Sequence, residues 1–223
     1  MFIVKIGRRR SIRREKEKEE QEEGAGGGVA TMISKQLQAS TVRAGEGRQR
    51  DEYIITRLNH IKPAINIVNI YGEDENRAGS MKILESWSRL QEDLAVINGW
   101  GEFTLVMGDM NRHIGAGEYG VKGNKEEIST GGHMIRELLR TKEYVLLNNL
   151  PQTEGGPFTW VQPGKEEVKS CLDLAIASAS LAPFVKRMVI DSKRMFTPRR
   201  ITKKAGKAVT VYTSHSEYFV TNP

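Results

Sequence analysis

The sequence predicts a layered domain of the α+β or sandwich type. Segments with the composition of strands outnumber segments with helical periodicity, and the two kinds follow one another in a mixed order rather than as regular β-α-β units. The chain has 223 residues, which suits one domain with a sizeable core and leaves room for a tail. We find no internal repeat in it.

Residues 1–28 differ from the rest of the chain. The stretch "RRRSIRREKEKEEQEEGAGGG" passes from a basic block to an acidic block to glycines, with almost nothing apolar to bury. This composition predicts disorder or a loosely attached charged helix. The basic block fits a solvated tail, or else a patch for nuclear import or nucleic-acid binding. We expect the globular domain to cover residues 29–220.

The first half of the domain alternates strand-like runs with one clear helix. "VATMIS" predicts a short strand, and "EYIITRLN" and "AINIVNIY", separated by "HIKP", predict a hairpin. Ser80 is the predicted cap of a helix over "MKILESWSRLQEDLAVI". Its apolar residues recur at helical spacing: Leu84, Trp87, Leu90, Leu94 and Ile97. The strand "FTLVM" follows.

The second half continues with shorter elements. A glycine-rich loop leads to a helix around "HMIRELLRTK" and to the strand "YVLLNN". "GPFTWVQP", "CLDLAIAS", "KRMVIDS" and "AVTVYTSH" are mostly strand-like. Between the last two lies a predicted basic loop, Lys193–Lys207, with the sequence "KRMFTPRRITKKAGK".

The composition indicates some classes of partner and excludes some kinds of site. A formal net charge of +6 and a pI near 9.4 suit a polyanionic partner such as nucleic acid, although a basic surface without such a partner fits equally well. The single Cys171 excludes an intrachain disulfide and a thiolate zinc cluster, and a reducing intracellular setting is expected. The four histidines show no HExxH-type spacing. No segment has the roughly 20 apolar residues that cross a bilayer.

The stretch "FTLVMGDMNRHIG" carries a buried-strand pattern straight into two polar residues, Asp109 and Asn111. On an extended segment, residues two apart point the same way, so both side chains could project from the strand end into a common space. The alternative is that Asp and Asn start a turn, because both hydrogen-bond their own backbone. The stretch alone favours the turn.

Other strand ends share this feature. "NIVNIYG" ends on Asn69 and Tyr71, and "VYTSH" ends on His215. Asp173 lies inside the apolar run "CLDLAIAS", where a charge is costly unless it is paired. An Asp173–His215 pair would satisfy both side chains. Each residue, taken singly, also fits a turn former or a satisfied buried polar group.

Five motifs together are more specific than any of them alone. "NIY", "GDMN", "FTW", "SCLDLAIAS" and "YTSH", in this order and at these intervals, resemble the endonuclease/exonuclease/phosphatase superfamily. The sequence is most similar to the apurinic-type endonuclease domain of non-LTR (LINE-like) retrotransposon proteins. The resemblance implies a four-layer α/β sandwich, in which two mainly antiparallel sheets pack face to face between outer helices. It places the site where strand ends meet at one edge.

The resemblance also implies a role for each polar residue. Asp109 would activate the attacking water, Asn111 would hold a non-bridging phosphate oxygen, and Tyr71 would lie near the phosphate or the leaving group. His215 would donate to the phosphate, oriented by Asp173. Phosphodiester cleavage needs such a base, such donors, and a cation for the leaving oxygen.

Two departures from the family pattern concern the metal. The family begins with a strand that ends in Asn and a second strand with a "Q-E-T"-like motif, whose Glu binds Mg²⁺. Upstream of "GVATMIS" stands only the low-complexity segment. The family's Ser/Thr-Asp-His is here Thr213-Ser214-His215, and a neutral hydroxyl is a poor ligand for a hard cation. We therefore expect a domain that lacks its first strand or strands, with Asp109 as its remaining metal ligand for Mg²⁺ or Mn²⁺.

Three functions follow from these observations. The first is a DNA-nicking endonuclease, intact or impaired. The second is a catalytically silent derivative that binds nucleic acid through Arg199, Arg200, Lys203 and Lys204. The third is a phosphatase for a small or lipid phosphate, against which the wording "GDMNRHIG" and "SCLDLAIAS" argues. We expect a monomer without a small-molecule cofactor or membrane partner, nuclear if it acts on chromosomal DNA.

Overall fold

A computed structural model describes most of the chain. The described residues are 31, 33, 36–44, 53–75, 79–122, 124, 127–162, 165–190, 199–204, 207–212 and 218–221. The tail predicted over residues 1–28 lies outside them.

The described residues form strands and helices in a mixed order, as predicted. In chain order these elements are β1 (Ala39–Ala44), β2 (Tyr53–Leu58), β3 (Ile65–Tyr71), α1 (Ser80–Asn98), β4 (Phe103–Asp109), α2 (Thr130–Arg140), β5 (Tyr144–Leu146), β6 (Thr153–Gly155), β7 (Trp160–Gln162), β8 (Lys165–Ser170), β9 (Asp173–Ser178), β10 (Arg187–Ile190), β11 (Arg199–Lys204), β12 (Lys207–Tyr212) and β13 (Tyr218–Thr221). Two 3₁₀ turns, Leu147–Asn149 and Ala182–Phe184, follow β5 and β9. No described helix is long and apolar enough to span a lipid bilayer.

The main sheet has six strands in the order β1-β2-β3-β4-β9-β5. Strands β3 and β4 are parallel, and their other neighbours are antiparallel. Because side chains alternate along a strand, each central strand contributes side chains to both faces of the sheet. Val68 and Val106 pack in the cluster that contains the helices, whereas Ile67 and Met107 pack in the cluster that contains Met188 of β10.

The helices cover the first face. Trp87, Leu90, Leu94 and Ile97 of α1 are buried, as the helical spacing predicts, but Ile83 is buried in place of the half-exposed Leu84. The prediction that Ser80 caps α1 is wrong. The N-cap is Gly79, whose φ of 76° lies in the left-handed region, and Ser80 already has helical backbone.

The second face is covered by a smaller sheet in the order β13-β10-β6. Met188 and Ile190 of β10 pack with Leu105 and Met107 of β4, so this core lies between two sheets. The predicted α+β class, with packed sheets and an outer helical layer, is confirmed. The predicted hairpin is also confirmed as β2 and β3, which pair antiparallel.

Two predicted segments differ from the structure. Thr31 and Ile33 of "VATMIS" lie outside any strand, while β1 follows a few residues later. Strand β1 is an edge strand with mostly exposed residues, so it lacks the apolar alternation that identifies strands. Within the predicted basic loop, Arg199–Lys204 form strand β11, which pairs with β12, because Ile201, Thr202 and the run "VTVY" favour extended backbone despite the charges around them. Residues 193–198 and 205–206 of the predicted loop lie outside the described residues.

Candidate active site at one edge of the main sheet

Three of the predicted site residues form one row across adjacent strands. Tyr71 of β3 is the register partner of Asp109 of β4, and Asp109 is the partner of Asp173 of β9. Register partners project to the same face of a sheet, with Cβ atoms roughly 5 Å apart in an antiparallel pair. Asp109 and Asp173 are both buried. The face is the one toward β10, since Met107 and Ala175, two residues along each strand, pack there.

Asn111 reaches the row by a turn. Its φ of 48° is left-handed, so Asp109 and Asn111 do not share an extended strand, and the turn that the stretch alone favours is confirmed. The Asn111 N–H donates to Oδ1 of Asp109 at 3.0 Å, and its Nδ2 donates to the carbonyl of Gly72 at 2.6 Å. These bonds fix both the carboxylate and the amide side chain.

Glycines allow the ends of β3 and β4 to approach closely. A Cβ added at Gly72 would lie 2.1 Å from the carbonyl oxygen of Met110, and one at Gly108 would lie 1.9 Å from that of Ile70. The Gly72 N–H also donates to the carbonyl of Asp109 at 2.7 Å. The glycines in "IYG" and "MGD" are therefore required by the spacing of these two backbones.

A buried arginine, Arg112, connects the loop after β3 with the loop after β4. Nη1 of Arg112 donates to the carbonyl oxygens of Glu73 and, at 2.9 Å, of Asn111. The side chain passes close to Gly131 at the start of α2, where a Cβ would lie 2.2 Å from Nε. Arg112 thus connects the loop after β3, the loop after β4 and the helix. No motif in the sequence points to this role.

Glu75 continues this connection to α2. Its Oε1 accepts a hydrogen bond from the N–H of Thr130 at 2.9 Å. Burial acts to raise the pKa of Glu75, but hydrogen bonds from Thr130 and Ser129 and the charge of Arg112 outweigh it, so the pKa lies below its ordinary value of 4.5. The ionised carboxylate is the form that holds the start of the helix.

Asp173 is positioned through its backbone. The hydroxyl of Thr159, in the "FTW" motif, accepts from the N–H groups of Leu172 and Asp173, both at 3.0 Å. On the other side, Nδ2 of Asn148 donates to the carbonyl of Asp173 at 3.1 Å, and its Oδ1 accepts from the N–H of Ala175 at 2.8 Å. The sequence does not reveal the role of Asn148, because "LLNN" carries no signal beyond a strand that ends in polar residues.

The thiol of Cys171, next to Asp173, lies in an enclosed part of the structure. Cys171 is fully buried. Burial, followed by the charge of Asp173, raises its pKa to about 12, although hydrogen bonds from Thr159 and Asn148 oppose the rise. The start of β9 is therefore a dry, polar-lined segment.

Comparison with known proteins rests on structure. No family model matches the chain, and no curated protein matches its sequence. A 3'-5' exonuclease from Neisseria meningitidis is similar with a TM-score of 0.57 at 15% identity, covering 83% of this chain and 71% of that one. An AP endonuclease from Archaeoglobus fulgidus gives 0.55 at 14% identity, over 83% and 70% of the two chains.

A third neighbour matches along nearly the whole chain. It is the endonuclease domain of TRAS1, a telomere-specific non-LTR retrotransposon, with a TM-score of 0.54 at 13% identity, over 96% of this chain and 76% of that one. The chain has the endonuclease/exonuclease/phosphatase fold. This confirms the fold that the resemblance implies.

Within this fold the structure brings together Tyr71, Asp109, Asn111 and Asp173. His215 and Ser214 lie outside the described residues, so the predicted Asp173–His215 pair stays a prediction. The basic residues Arg199, Arg200, Lys203 and Lys204 lie on β11, described at the level of its backbone. Among the described residues, no three His, Cys, Asp or Glu side chains are grouped as metal ligands.

Proposed function

We propose that this chain is a phosphodiesterase domain that acts on DNA with Mg²⁺ or Mn²⁺, of the type found in non-LTR retrotransposon proteins, and that its hydrolytic activity is impaired. The observation that carries the proposal is the row of Tyr71, Asp109 and Asp173 on three adjacent strands, with Asn111 held beside it. A carboxylate that can act as a base, beside an amide and a phenol that can donate hydrogen bonds to phosphate oxygens, suits attack on a phosphodiester.

Each residue has a task in this proposal. Asp109 accepts a proton from the attacking water as the water oxygen bonds to phosphorus. The bond from phosphorus to the bridging oxygen of the leaving nucleotide breaks, and this oxygen takes up a proton from solvent. The amide nitrogen of Asn111 carries two hydrogens. One is donated to Gly72, and the other is available for a non-bridging phosphate oxygen. Tyr71 lies near the phosphate or the leaving group. His215 donates to the phosphate, and Asp173 orients its ring.

The topology supports a place for His215 near Asp173. Strand β13 begins at Tyr218, opposite Ile190, and Ile190 is also the partner of Gly155. Thr159, which holds the N–H of the aspartate, follows Gly155 by four residues, at most about 14 Å of extended chain. The histidine precedes Tyr218 by three residues in the sequence, and this short separation supports the proposal that it lies within reach of Asp173.

The metal site accounts for the proposed impairment. Asp109 fits a Mg²⁺ ion that also takes phosphate oxygens as ligands, since Mg²⁺ is usually held through one or two carboxylates plus substrate phosphate. When bound, the ion would neutralise charge on the leaving oxygen. The "Q-E-T"-type Glu has no counterpart in the sequence, and Ser214 stands in place of a carboxylate. Fewer anionic ligands mean weaker ion binding.

DNA is the proposed partner for two reasons. The chain carries a net charge of +6, and Arg199, Arg200, Lys203 and Lys204 are concentrated on one strand of the hairpin β11–β12. Among the structural neighbours, a 3' phosphatase from Neisseria is seen bound to a product DNA hairpin, with a TM-score of 0.57 at 14% identity.

The alternative is a silent nucleic-acid-binding derivative, which the missing ligands favour. A lipid or small-molecule phosphatase is the third candidate. One test distinguishes a domain that acts on DNA from one that acts on lipid phosphates. It measures direct binding to duplex DNA and to vesicles that contain phosphoinositide. We expect saturable binding to DNA and none to the vesicles beyond that seen with other anionic lipid. A preference for the phosphoinositide would contradict the proposal.

A further inference from the structure

The edge of β9 is incompletely covered by its neighbour β5. The two strands pair from Tyr144 and Ser178 to Leu146 and Ile176, and there the pairing ends. The chain then turns into the 3₁₀ turn Leu147–Asn149. The first residues of β9, which include the site aspartate, therefore have a strand partner on the β4 side alone.

The side chain of Asn148 takes the place of the missing strand. Its Oδ1 accepts from the N–H of Ala175 at 2.8 Å, and its Nδ2 donates to the carbonyl of Asp173 at 3.1 Å. A carboxamide has the donor and acceptor of a peptide group, so it extends the ladder of β5 by one unit. Asn148 is itself buried, and water therefore does not replace these bonds at low cost.

We propose that Asn148 is a positioning residue for Asp173, a role that rests on the phosphodiesterase site proposed above. The two peptide groups that flank Asp173 are held by side chains on both sides. Thr159 accepts from its N–H, and Asn148 holds its carbonyl. The backbone of a residue determines the direction of its side chain. These two hydrogen bonds therefore fix the backbone of Asp173 so that its carboxylate lies in the row with Asp109.

Removal of the Asn148 side chain has a local consequence. It removes the amide donor to the carbonyl of Asp173, which keeps the contact from Sγ of Cys171 at 3.4 Å, and it removes the acceptor of the N–H of Ala175. Loss of hydrogen bonds by buried backbone groups is unfavourable. The first residues of β9 would relieve this by opening toward solvent. The rest of the strand, paired with β4 and β5, would remain.

The chain contains its own reporter for this opening. Cys171 is its one cysteine, it is buried, and its Sγ lies 3.5 Å from Nδ2 of Asn148. Thiol reagents attack the thiolate, and the pKa of Cys171 is raised to about 12. At neutral pH, labelling therefore requires that this segment opens.

The experiment compares labelling of Cys171 in the full chain with two substitutions, Asn148→Ala and Asn148→Asp. Asn148→Asp keeps the shape and the acceptor but replaces the donor to Asp173 with a carboxylate oxygen, so it removes the hydrogen bond and adds a negative charge without opening a cavity. The matched control is Ser178→Ala at the far end of β9, where the hydroxyl accepts from the N–H of Thr104 at 3.1 Å.

Three quantities are measured for each variant: the rate of Cys171 labelling, the stability against denaturant, and the ¹³C resonance of the Asp173 carboxyl group. We expect both Asn148 variants to label roughly tenfold faster than Ser178→Ala of equal stability, because the removed bonds act locally. The Asp173 resonance should move in both Asn148 variants and stay in place in Ser178→Ala. The resonance reports the surroundings of Asp173 itself, which a loss of overall stability alone would not change.

Two results would overturn the proposal. The first is a rate of Cys171 labelling that depends on the stability of each of the three variants in the same way. The second is an Asp173 resonance that does not move in Asn148→Asp. If Asn148→Ala fails to fold, Asn148→Asp still decides the question. None of these measurements uses DNA or turnover. If the labelling experiment contradicts the role of Asn148, the proposed function is therefore not contradicted. If the chain neither binds nor cleaves DNA, the result on Asn148 is likewise unaffected.

Discussion

Two carboxylates lie directly opposite each other at the proposed site. Asp109 and Asp173 are register partners on antiparallel strands, and both are buried. Like charges in this position are destabilising. Their placement is thus understandable as a requirement of function rather than of folding.

The substitution Asp109→Asn is expected to stabilise the fold. It removes one of two facing charges while the amide oxygen still accepts from the N–H of Asn111, and the gain should be about 0.5–1 kcal/mol. Denaturant unfolding measures it. The matched control is Asp93→Asn, because buried Asp93 accepts from the hydroxyl of Tyr53 at 2.7 Å and should lose stability. A loss of stability in Asp109→Asn as well would show that the facing charges are compensated.

A second residue-level prediction concerns Asp173 and His215. We expect the two side chains to lie within hydrogen-bonding distance, since a buried carboxylate in the apolar run "CLDLAIAS" requires a partner. An experimental structure or a through-space NMR contact tests this. Side chains that face different layers of the sandwich would contradict both the pair and the site.

At the scale of elements, the start of α2 is tied to the loop after β3 by one carboxylate. Glu75 accepts from the N–H of Thr130 at 2.9 Å, where a negative charge is favourable to the helix. Its pKa lies below 4.5 in the folded chain. Its contribution is therefore present above pH 4.5 and is lost as the pH falls through the lower folded-state value.

The substitution Glu75→Gln tests this link. At neutral pH it should cost about 0.5 kcal/mol, and the difference from the wild-type chain should close as the pH falls below 4.5. The control Glu92→Gln, at an exposed position of α1, should change little at any pH. A difference for Glu75→Gln that persists in acid would show that packing, not charge, explains its effect.

The hairpin β11–β12 is the element expected to control DNA affinity. Neutralising Arg199, Arg200, Lys203 and Lys204 should weaken binding and flatten its salt dependence, by a slope of roughly 0.9 for each phosphate that is no longer neutralised. Affinity should depend little on sequence, because binding to phosphates carries no base information. Fluorescence anisotropy across a salt series measures both.

The control for this experiment neutralises four exposed basic residues elsewhere. These are Lys82, Arg89, Lys142 and Lys186. The net charge changes equally in the two variants, so a general charge effect would weaken binding equally in both. Equal effects would count against a specific role of the hairpin.

For the whole molecule, the sequence is informative where a pattern is local. The helix α1 and the strands β2, β3 and β4 follow from periodicity and turns. The edge strand β1 and the basic hairpin do not, because exposure or charge hides the apolar alternation. The strand ends that carry the proposed site are predictable from motifs. Their register is not, because it depends on pairing across the sheet.

The supporting residues are the hardest to predict. Asn148 holds a residue 25 positions along the chain, and Thr159 one 14 positions along, so neither leaves a local pattern. The turn at Asn111 is predictable from the residue types, whereas its role in the site stays a prediction. Its left-handed φ follows from the carboxylate of Asp109 and the carbonyl of Gly72, which meet only in the folded chain.

The central claim is that this chain keeps the phosphodiesterase row but has lost most of its metal ligands. Nicking of supercoiled plasmid with Mg²⁺ or Mn²⁺ tests it most directly. Loss of one electrostatic group commonly costs on the order of 10²–10³ in rate, so we expect very weak nicking or none. Ser214→Asp alone should not restore it, since the Glu-bearing strand is still absent. Robust metal-dependent nicking that Asp109→Ala abolishes would contradict the account.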